Sequence, residues 1–378
     1  MISRRMFLKA GASAIVVTGV AGAWWTGSRA PQKALAPWEK AKEGYGDPRL
    51  DALAYAILCP NPHNRQPWQV ELIGKQAFNL TCDLDRRLPY TDPFDRQITI
   101  GLGCFIELFR MAAAAMGYIV LIRPFPDGES YPRLDKRRVA HIRLVKAAPE
   151  KDPLFDAVFD RRSNKEIYDT ARPVPADIFA ALTAAENIGG TVDPDTVTRL
   201  RDLSWRGHRM ESLTPRTMME SVSLMRFGKA EVEANPDGID FSGAKYELLN
   251  KTGLMTRENI AEPASDAFAM GMKMFSDRLH SAMGYVWVAT PGNSRLDQLN
   301  AGQKWVRLNL KATKLDLAVH PLSQALQEYP EMRVLYTELH TFLHTNEPSR
   351  LQMFARIGYA PKVDPKPRWS LTSRLVNA

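Results

Sequence analysis

The chain has 378 residues, of which 45% are hydrophobic and 24% charged, so it has the composition of a globular protein and room for one large domain or two ordinary ones. Its net charge is +8, but the basic residues are scattered among acidic ones, without a polybasic run or zinc-finger spacing, which argues against nucleic-acid binding. The three cysteines, Cys59, Cys82 and Cys104, are an odd number without paired spacing, which argues against a disulfide framework.

The N-terminus has the pattern of a signal peptide. The sequence SRRMFLK at residues 3–9 precedes an apolar run and then small residues, and it closely resembles the twin-arginine export motif. We therefore predict a signal peptide over residues 1–23, recognised by the twin-arginine (Tat) export machinery, and a periplasmic or otherwise exported protein. Cleavage and retention as a membrane anchor both stay open, because Trp24 and Trp25 follow the small residues directly. The twin-arginine route carries folded proteins, which favours a client that acquires its cofactor before export.

The next segments predict a linker, a helix and a hairpin. Residues 24–46 are polar with two prolines and are expected to be a linker. A helix is predicted over residues 47–58, because the Asp47 carboxylate can accept from free backbone N–H groups and Pro48 suits the first helical position. The sequences WQVELIG and FNLTCDL then alternate as strands do, which predicts a hairpin through residues 74–75.

Two long segments each read as a helix that runs into a strand. They are ITIGLGCFIELFRMAAAAMGYIV in the first part of the chain and QLNAGQKWVRLNLKATKLDLAVHPLSQ in the second. When Gly103 is aligned with Gly302, the apolar positions of the two segments match. We interpret this as a duplicated α+β unit, with halves at residues 47–150 and 151–378. The Met-rich region at about 209–281 is hard to assign and is predicted to be an insertion that forms a lid.

Four short segments have side chains suited to a bound ligand. PNPHNRQPW, residues 60–68, combines stiff turns with amides and an aromatic ring, which suits a flat ligand with polar edges. DRRSNK, residues 160–165, offers planar arginine donors and a hydroxyl that suit a phosphate, although a solvated basic loop has the same composition. In DPKPR, residues 364–368, prolines hold two cations that would otherwise belong to a flexible tail. HPLSQ, residues 320–324, ends a strand with polar residues that could equally cap the next helix.

Together these segments resemble the nitroreductase superfamily of FMN-dependent flavoproteins. The resemblance covers most of residues 48–376, with a poorly matched middle at about 209–281. HNRQPW is its most specific element, RRSNK corresponds to the family's Arg-x-Ser segment, and RIGYAP and KPR follow later in the chain. It implies an α+β fold, with a mixed, mostly antiparallel sheet flanked by helices, and FMN as the cofactor.

The resemblance also implies which residues would hold FMN. The candidates at the phosphate and ribityl end are Arg161, Arg162, Ser163, Lys366 and Arg368. Lys165 would approach the N1/O2 edge of the flavin ring, where a cation raises the reduction potential. The candidates around the ring are Pro60, Asn61, Pro62, His63, Asn64 and Gln66. Two further cofactor-binding candidates are Ser323 and Gln324. No catalytic side chain and no metal ligand is predicted.

The order of the segments departs from the usual family pattern. Common members carry Arg-x-Ser before the proline turn in one short chain that forms a homodimer, whereas here the turn comes first and neither segment occurs twice. A fused dimer explains this order, and the layout looks like the Acg-type, fused branch of the superfamily. It implies an intramolecular pseudo-dimer that is monomeric, with one composite FMN site. The usual Pro-Ser-Ser turn is Pro60-Asn61-Pro62 here, which puts the details of the flavin contacts in doubt.

These observations favour an exported, FMN-binding, nitroreductase-like oxidoreductase that reduces a small-molecule acceptor such as a nitroaromatic or a quinone. Two alternatives stay open: a flavin-binding or flavin-sequestering protein without turnover, and a degenerate pseudo-dimer with an empty site and a structural role. The electron donor is unassigned, because NAD(P)H is expected in the cytoplasm rather than outside it.

Overall fold

The computed structural model describes residues 29–376, so the predicted signal peptide at residues 1–23 lies outside the described residues. The helices before the second sheet are α1 (Gln32–Glu43), α2 (Pro48–Ala56), α3 (Arg96–Ala115) and α4 (Ala176–Thr183). The later helices are α5 (Pro194–Leu213), α6 (Pro215–Ser223), α7 (Gly228–Ala234), α8 (Ala244–Lys251), α9 (Arg257–Ala261), α10 (Asp266–His280), α11 (Arg295–Lys314) and α12 (Arg333–Phe342).

The strands of the first half are β1 (Trp68–Ile73), β2 (Ala77–Cys82), β3 (Tyr118–Pro124) and β4 (Ala140–Lys146). The later strands are β5 (Ile188–Thr191), β6 (Met225–Phe227), β7 (Ile239–Phe241), β8 (Gly284–Thr290), β9 (Ala318–Pro321), β10 (Arg350–Gly358) and β11 (Leu375–Val376). The predicted hairpin and the two predicted helix-then-strand units are therefore all present.

Helix α1 lies inside the segment that was predicted to be a linker. Its buried residues are Ala34, Pro37, Trp38 and Ala41, which recur at the spacing of one helical face. The Trp38 indole N–H also donates to the backbone oxygen of Lys366, at 2.9 Å. This part of the linker prediction is wrong, because the lysines and the two prolines hide a short apolar stripe that packs into the core.

The strands form two larger sheets with the same internal order. The first sheet runs β11-β1-β2-β4-β3 and the second runs β5-β8-β10-β9. All neighbours in both sheets are antiparallel except β11, which lies parallel to β1. Without β11, the orders β1-β2-β4-β3 and β5-β8-β10-β9 correspond, and in each a long helix, α3 or α11, follows the second strand and leads into the edge strand. The predicted α+β class, with mostly antiparallel sheets and flanking helices, is confirmed.

The helices α3 and α11 cross at Gly103 and Gly302. A Cβ atom on Gly103 would lie 2.2 Å from the backbone oxygen of Leu299, and one on Gly302 would lie 2.0 Å from that of Ile100. Both distances are far below van der Waals contact, so only glycine fits at either position. The two glycines that the sequence alignment paired therefore occupy reciprocal places at one crossing.

Buried arginines link the two halves in the same reciprocal way. Arg96, the first residue of α3, donates to the backbone oxygens of Leu326 at 2.7 Å and Gln352 at 2.8 Å. Arg295, the first residue of α11, donates to the backbone oxygen of Ser130 at 3.0 Å. Each arginine is 1% exposed, so each half supplies carbonyl acceptors that the other half's helix requires.

The insertion begins earlier than predicted. In the first sheet residues 74–76 join the two hairpin strands, whereas residues 192–283 separate the corresponding strands β5 and β8. Helix α5 belongs to this segment and packs on the second sheet, so the limits of 209–281 omit most of its first helix. The insertion also has a small core of its own, made by Val222, Met225, Phe227 and Ile260.

The C-terminal segment returns to the first half. The Arg368 backbone N–H donates to the Ala34 oxygen at 2.8 Å, and β11 extends the first sheet beside β1. A boundary at residue 150 therefore does not separate the halves in space. Within the described chain, α3 alone is long and apolar enough to cross a membrane, but 83% of that window is buried, as expected of a core helix.

The helix crossing predicts a strong effect of a single methyl group. We expect Gly103→Ala and Gly302→Ala each to lower the free energy of unfolding by about 3 kcal/mol, because the helices must separate to admit the Cβ atom. Gly271→Ala is the matched control, since a Cβ atom there meets nothing within 4 Å and alanine favours the helix by about 1 kcal/mol. Urea titration followed by circular dichroism measures all three, and equal midpoints would contradict the crossing geometry.

Candidate functional site

The turn after α2 has an unusual backbone. His63, Asn64 and Gln66 have φ angles of 45°, 52° and 53°, in the left-handed region that residues other than glycine rarely adopt. The Asn61 side-chain oxygen accepts from the Gln66 backbone N–H at 2.7 Å, which closes the turn. Clustered conformations of this kind persist only where the surroundings enforce them, and they are typical of functional sites.

Gln66 joins this turn to two distant parts of the chain. Its side chain is fully buried. The amide nitrogen donates to the Pro236 oxygen in the insertion at 2.7 Å, and the amide oxygen accepts from the Trp369 backbone N–H at 2.9 Å. The turn, the insertion and the C-terminal segment therefore meet at one amide group.

Arg368 fixes the backbone just before the turn. Its side chain donates to the backbone oxygens of Ile57, Leu58, Cys59 and Pro367 and to the side-chain oxygen of Asn64. These bonds use all five N–H groups of a guanidinium, and three of the acceptors are carbonyls that follow the end of α2. The prediction that Arg368 contacts a phosphate is therefore not supported by this geometry, since the side chain braces the turn and has no donor left.

Arg161 and Arg162, in contrast, have donors without partners. The Arg161 guanidinium donates to the Leu58 oxygen at 3.3 Å, next to Arg368, but among residues 29–376 its Nη1 and the Nε of Arg162 are buried without an acceptor. Arg162 lies over the Trp38 ring, with the guanidinium carbon 4.7 Å from the ring centre. Buried donors of this kind are costly when unpaired, so they indicate a place for an acceptor.

Positive charge accumulates at this end of the site. Over the described part of the chain, no carboxylate forms an ion pair with Arg161, Arg162 or Arg368. Burial, and then repulsion from neighbouring arginines, lowers the pKa of Arg161 to about 10 and that of Arg368 to about 9. An anion bound here would relieve both costs.

Ser163 lies where a phosphate-binding residue is expected, whereas Lys366 is paired elsewhere. Ser163 is half-buried directly after the two arginines, which is compatible with its predicted role. Lys366 instead forms an ion pair with Asp240 of the insertion, at 3.1 Å, so its predicted closure on a phosphate is not seen. Asn164, which the sequence analysis missed, anchors the segment by donating to the backbone oxygens of Val319 at 2.9 Å and Pro361 at 2.8 Å.

Lys165 and His63 lie close enough for their charges to interact. The Lys165 side chain reaches solvent, yet desolvation by the surrounding protein, followed by Lys366 and Arg278, lowers its pKa to about 8. Burial, followed by the charges of Lys165 and Arg65, lowers the pKa of His63 to about 4. His63 is therefore neutral at pH 7. The proline turn and the 160–165 segment, far apart in sequence, lie next to each other, because Arg161 donates to the Leu58 oxygen just before the turn.

Ser323 and Gln324 lie at the edge of this region rather than at its centre. Ser323 precedes the short 3-10 helix Gln324–Leu326 and makes no capping hydrogen bond through its side chain. Burial raises the pKa of the Glu211 carboxyl, and hydrogen bonds from Gln327 and Gln324 partly offset this. Gln324 therefore faces a buried acid of the insertion, for which no local sequence pattern exists. Neither Ser323 nor Gln324 is placed at the phosphate end.

The cysteines pack in the main hydrophobic core. All three are free and buried, and burial raises the pKa of Cys59 to about 12. The Cys59 sulfur lies 3.8 Å from the backbone oxygen of Gly101, where it packs the turn against α3. No cluster of metal-ligating side chains occurs among the described residues.

Arg368 provides a stability test of the turn. We expect Arg368→Lys to lower the free energy of unfolding by about 3 kcal/mol, because an ammonium supplies three donors where five are used and leaves buried carbonyls unpaired. Arg333→Lys, at an exposed position, is the control and should change little. Urea unfolding measures both variants, and similar midpoints would mean that Arg368 does not brace the turn.

Comparison with known proteins finds relatives that are named as nitroreductases. No family model matches the chain. A Mycobacterium tuberculosis protein named "Putative NAD(P)H nitroreductase" is 26% identical over 329 residues, which cover 83% of this chain and 86% of that protein. A second protein of that name and organism, acg, is 25% identical over 327 residues, which cover 84% and 90%.

Solved structures overlap only loosely with this chain. The structure of a "putative nitroreductase" from Anabaena variabilis aligns with a TM-score of 0.38 and 11% identity, over 75% of this chain and 69% of that one. The FMN-dependent nitroreductase NfnB of Mycobacterium smegmatis aligns with a TM-score of 0.34 and 16% identity, over 56% and 92%. Scores this low carry no argument, so the similarity rests on the full-length sequence relatives.

Proposed function

We propose that this protein binds FMN and acts as a nitroreductase-like oxidoreductase. The observation that carries the proposal is the buried Arg161 and its half-buried neighbour Arg162. Each has a buried N–H group without a partner, next to a left-handed, amide-rich turn from the other half of the chain. The M. tuberculosis relatives, named as NAD(P)H nitroreductases and similar over most of the chain, support the same activity.

The residues present fit the parts of FMN. The dianionic phosphate would be held by Arg161, Arg162 and Ser163, where N–H donors are unpaired. The turn at residues 60–66 would line the ring with polar edges, and neutral His63 can donate or accept there without repelling Lys165. Arg368 and Gln66 act indirectly, because their hydrogen bonds hold this turn in its strained conformation.

The redox chemistry would be supplied by the flavin, which accepts electrons from a donor and passes them to a small-molecule acceptor such as a nitroaromatic or a quinone. Lys165 would place a positive charge beside the ring edge where negative charge builds up on reduction. The strained turn and the buried arginines would keep the ring and the phosphate in fixed places and limit access of water.

We also infer that the two halves are a fused pseudo-dimer with a single composite site. The matching strand orders and the reciprocal Gly103 and Gly302 crossing support this view. Contacts between the two halves then replace a homodimer interface, and the protein is proposed to be a monomer. Export through the twin-arginine route remains our proposal from SRRMFLK. It would leave the electron donor to be found outside the cytoplasm.

Flavin sequestration without turnover is the second candidate, and one observation favours it. Asp237 of the insertion is 6% exposed and pairs with Arg65 at 3.2 Å, Arg86 at 2.5 Å and Arg226 at 3.0 Å. Arg65 belongs to the ring-lining turn, so these ion pairs fasten the insertion beside the proposed flavin. A reduced flavin that no acceptor reoxidises would support this candidate over turnover.

Flavin content tests the phosphate assignment. We expect the purified protein to be yellow and Arg161→Gln to lose the flavin, because the variant removes a buried cation at the phosphate end. Arg209→Gln removes the same charge from an exposed position of α5 and should keep the flavin. Visible spectra give the flavin-to-protein ratio, with circular dichroism as a check on folding. A colourless wild-type protein that takes up no added FMN would overturn the proposed function.

The pH dependence of the flavin potential tests Lys165. Below pH 8 the ammonium is protonated and should raise the potential, and above it this contribution should disappear as the pKa of about 8 is passed. The charged or titratable groups facing Lys165 are Lys366, Arg278, Glu211, Asp240 and His63.

We expect Lys165→Met to lower the potential at pH 7 and to differ little from wild type at pH 9. Lys136→Met, at an exposed site, is the control. Spectroelectrochemical titration measures the potentials, and a variant shift that is the same at both pH values would show that the Lys165 charge is not responsible.

A further inference from the structure

We infer that a groove between the first half and the insertion binds an aromatic carboxylate at a second site, separate from the proposed flavin site. The groove lies between residues 87–90 and helix α6 of the insertion and has a volume of about 420 Å³, which is at the lower end for small-molecule sites. Arg65, from the end of the proline turn, also lines it. None of the groove residues is among the flavin-binding candidates, so the inference goes beyond the proposed function.

Helix α6 is fastened to the first half and presents no free charge to the groove. The two Glu220 carboxylate oxygens accept from the backbone N–H groups of Tyr90 at 3.0 Å and Thr91 at 2.9 Å. The other charged residue of the helix, Arg216, is paired with Glu331 at 2.8 Å. The bonds of Glu220 fix the two walls of the groove relative to each other, so the groove is formed before any ligand binds.

Hydrogen bonds hold Arg65 against the backbone that leads into Arg87. The Arg65 side chain donates to the Arg86 oxygen at 3.2 Å, to the Asp85 oxygen at 3.0 Å and to the Asp237 carboxylate at 3.2 Å. Among residues 29–376, these three bonds leave two of its five guanidinium N–H groups without a partner. Arg65 and Arg87 therefore bring two guanidinium groups to one groove.

Arg87 also keeps donors that are available to a ligand. Its Nε donates to the Leu84 oxygen at 3.0 Å and its Nη1 to the Leu134 oxygen at 3.1 Å, whereas its Nη2 makes no hydrogen bond within the described chain. The side chain is 24% exposed, so its unpaired end can be reached from the groove that it lines. A free guanidinium nitrogen of this kind can form a charge-assisted hydrogen bond with a carboxylate.

The acids paired with these two arginines are shared with other cations. Asp237 serves three arginines at once, of which Arg65 is one. Asp95 lies 3.6 Å from Arg87 and 3.4 Å from Arg133. Each acid therefore neutralises only part of the charge beside the groove, and an external anion would compensate the remainder. Because the remainder is partial, a singly charged carboxylate fits better than a dianionic phosphate.

Apolar side chains supply the rest of the groove. Leu88 and Leu224 are buried, whereas Tyr90 and Met219 are 47% and 54% exposed, and all four line the groove. A tyrosine ring and a thioether are both good partners for a flat ring. Exposed apolar groups beside available guanidinium donors therefore favour an anion that carries an aromatic ring over a small aliphatic acid.

Calorimetric titration of the flavin-loaded protein with cinnamate tests the inference. Cinnamyl alcohol has the ring without the charge, and acetate has the charge without the ring, so both should bind about tenfold more weakly or less than that. Arg87→Gln should weaken cinnamate binding about tenfold, as expected for loss of a charge-assisted hydrogen bond. Arg133→Gln is the matched control and should bind cinnamate like wild type, because Arg133 pairs with the same Asp95 but does not line the groove.

A second variant tests the groove without removing any internal contact of an arginine. Met219→Glu places a negative charge at an exposed position of α6 and should abolish cinnamate binding by repulsion. Met270→Glu, at a position of α10 that is 69% exposed and outside the groove, adds the same charge and should bind cinnamate like wild type. Circular dichroism checks that all variants are folded.

Other results would overturn the inference and leave the proposed function intact. Wild-type affinity for cinnamate in both Arg87→Gln and Met219→Glu would show that the ligand binds elsewhere. Equal affinity of the wild-type protein for cinnamate and cinnamyl alcohol would remove the anion site, and release of flavin by cinnamate would place the ligand at the cofactor instead. A protein that takes up no flavin would overturn the proposed function alone, because the same titrations on that protein still decide whether the groove binds cinnamate.

Discussion

The close crossing of α3 and α11 is the constraint on which the rest of the molecule depends. Glycines at both reciprocal positions let the backbones touch, and this fixes the two halves relative to each other. The proline turn is positioned from the same helix, since a Cβ atom on Gly101 would lie 3.2 Å from side-chain atoms of Asn61 and Pro62. A turn from one half and an arginine segment from the other can therefore meet with little freedom, which is the precondition for a composite site.

The buried arginines near the turn divide into two kinds by their acceptors. Arg368 is fully used by carbonyl groups, which satisfy its donors without neutralising its charge. Arg161 lies next to it with an unpaired Nη1. Burying two cations together without a carboxylate is unfavourable for folding alone, so this arrangement is better explained by a ligand that carries the missing negative charge. The hydrogen bonds therefore distinguish Arg368, which shapes the site, from Arg161, which can contact a phosphate. Both are arginines, so residue type alone does not make this distinction.

Periodicity and turn chemistry predicted the local structure well. The capping Asp47, the hairpin and both helix-then-strand units follow from short-range rules, and the alignment of Gly103 with Gly302 located the crossing of the halves. Helix α1 was missed because lysines and an internal proline dilute a stripe of four buried residues. The positions of Lys366 and Arg368 were misjudged because their partners, Asp240 and the carbonyls after α2, are more than a hundred residues away and leave no local signal. Asn164 was missed for the same reason, since its partners Val319 and Pro361 are equally distant in sequence.

The insertion makes the two halves unequal, and this difference bears on how the site works. Residues 74–76 close the hairpin in the first half, whereas the long segment between β5 and β8 reaches back to the turn of the first half through Pro236 and Asp237. The corresponding connection of the first half is only three residues long, so it is too short to reach across the second half in the same way. Since Asp237 holds three arginines at once, opening the insertion would expose several buried charges. Release of the insertion is therefore expected to be costly, so the choice between turnover and sequestration depends on whether an acceptor can reach the ring while the insertion stays in place.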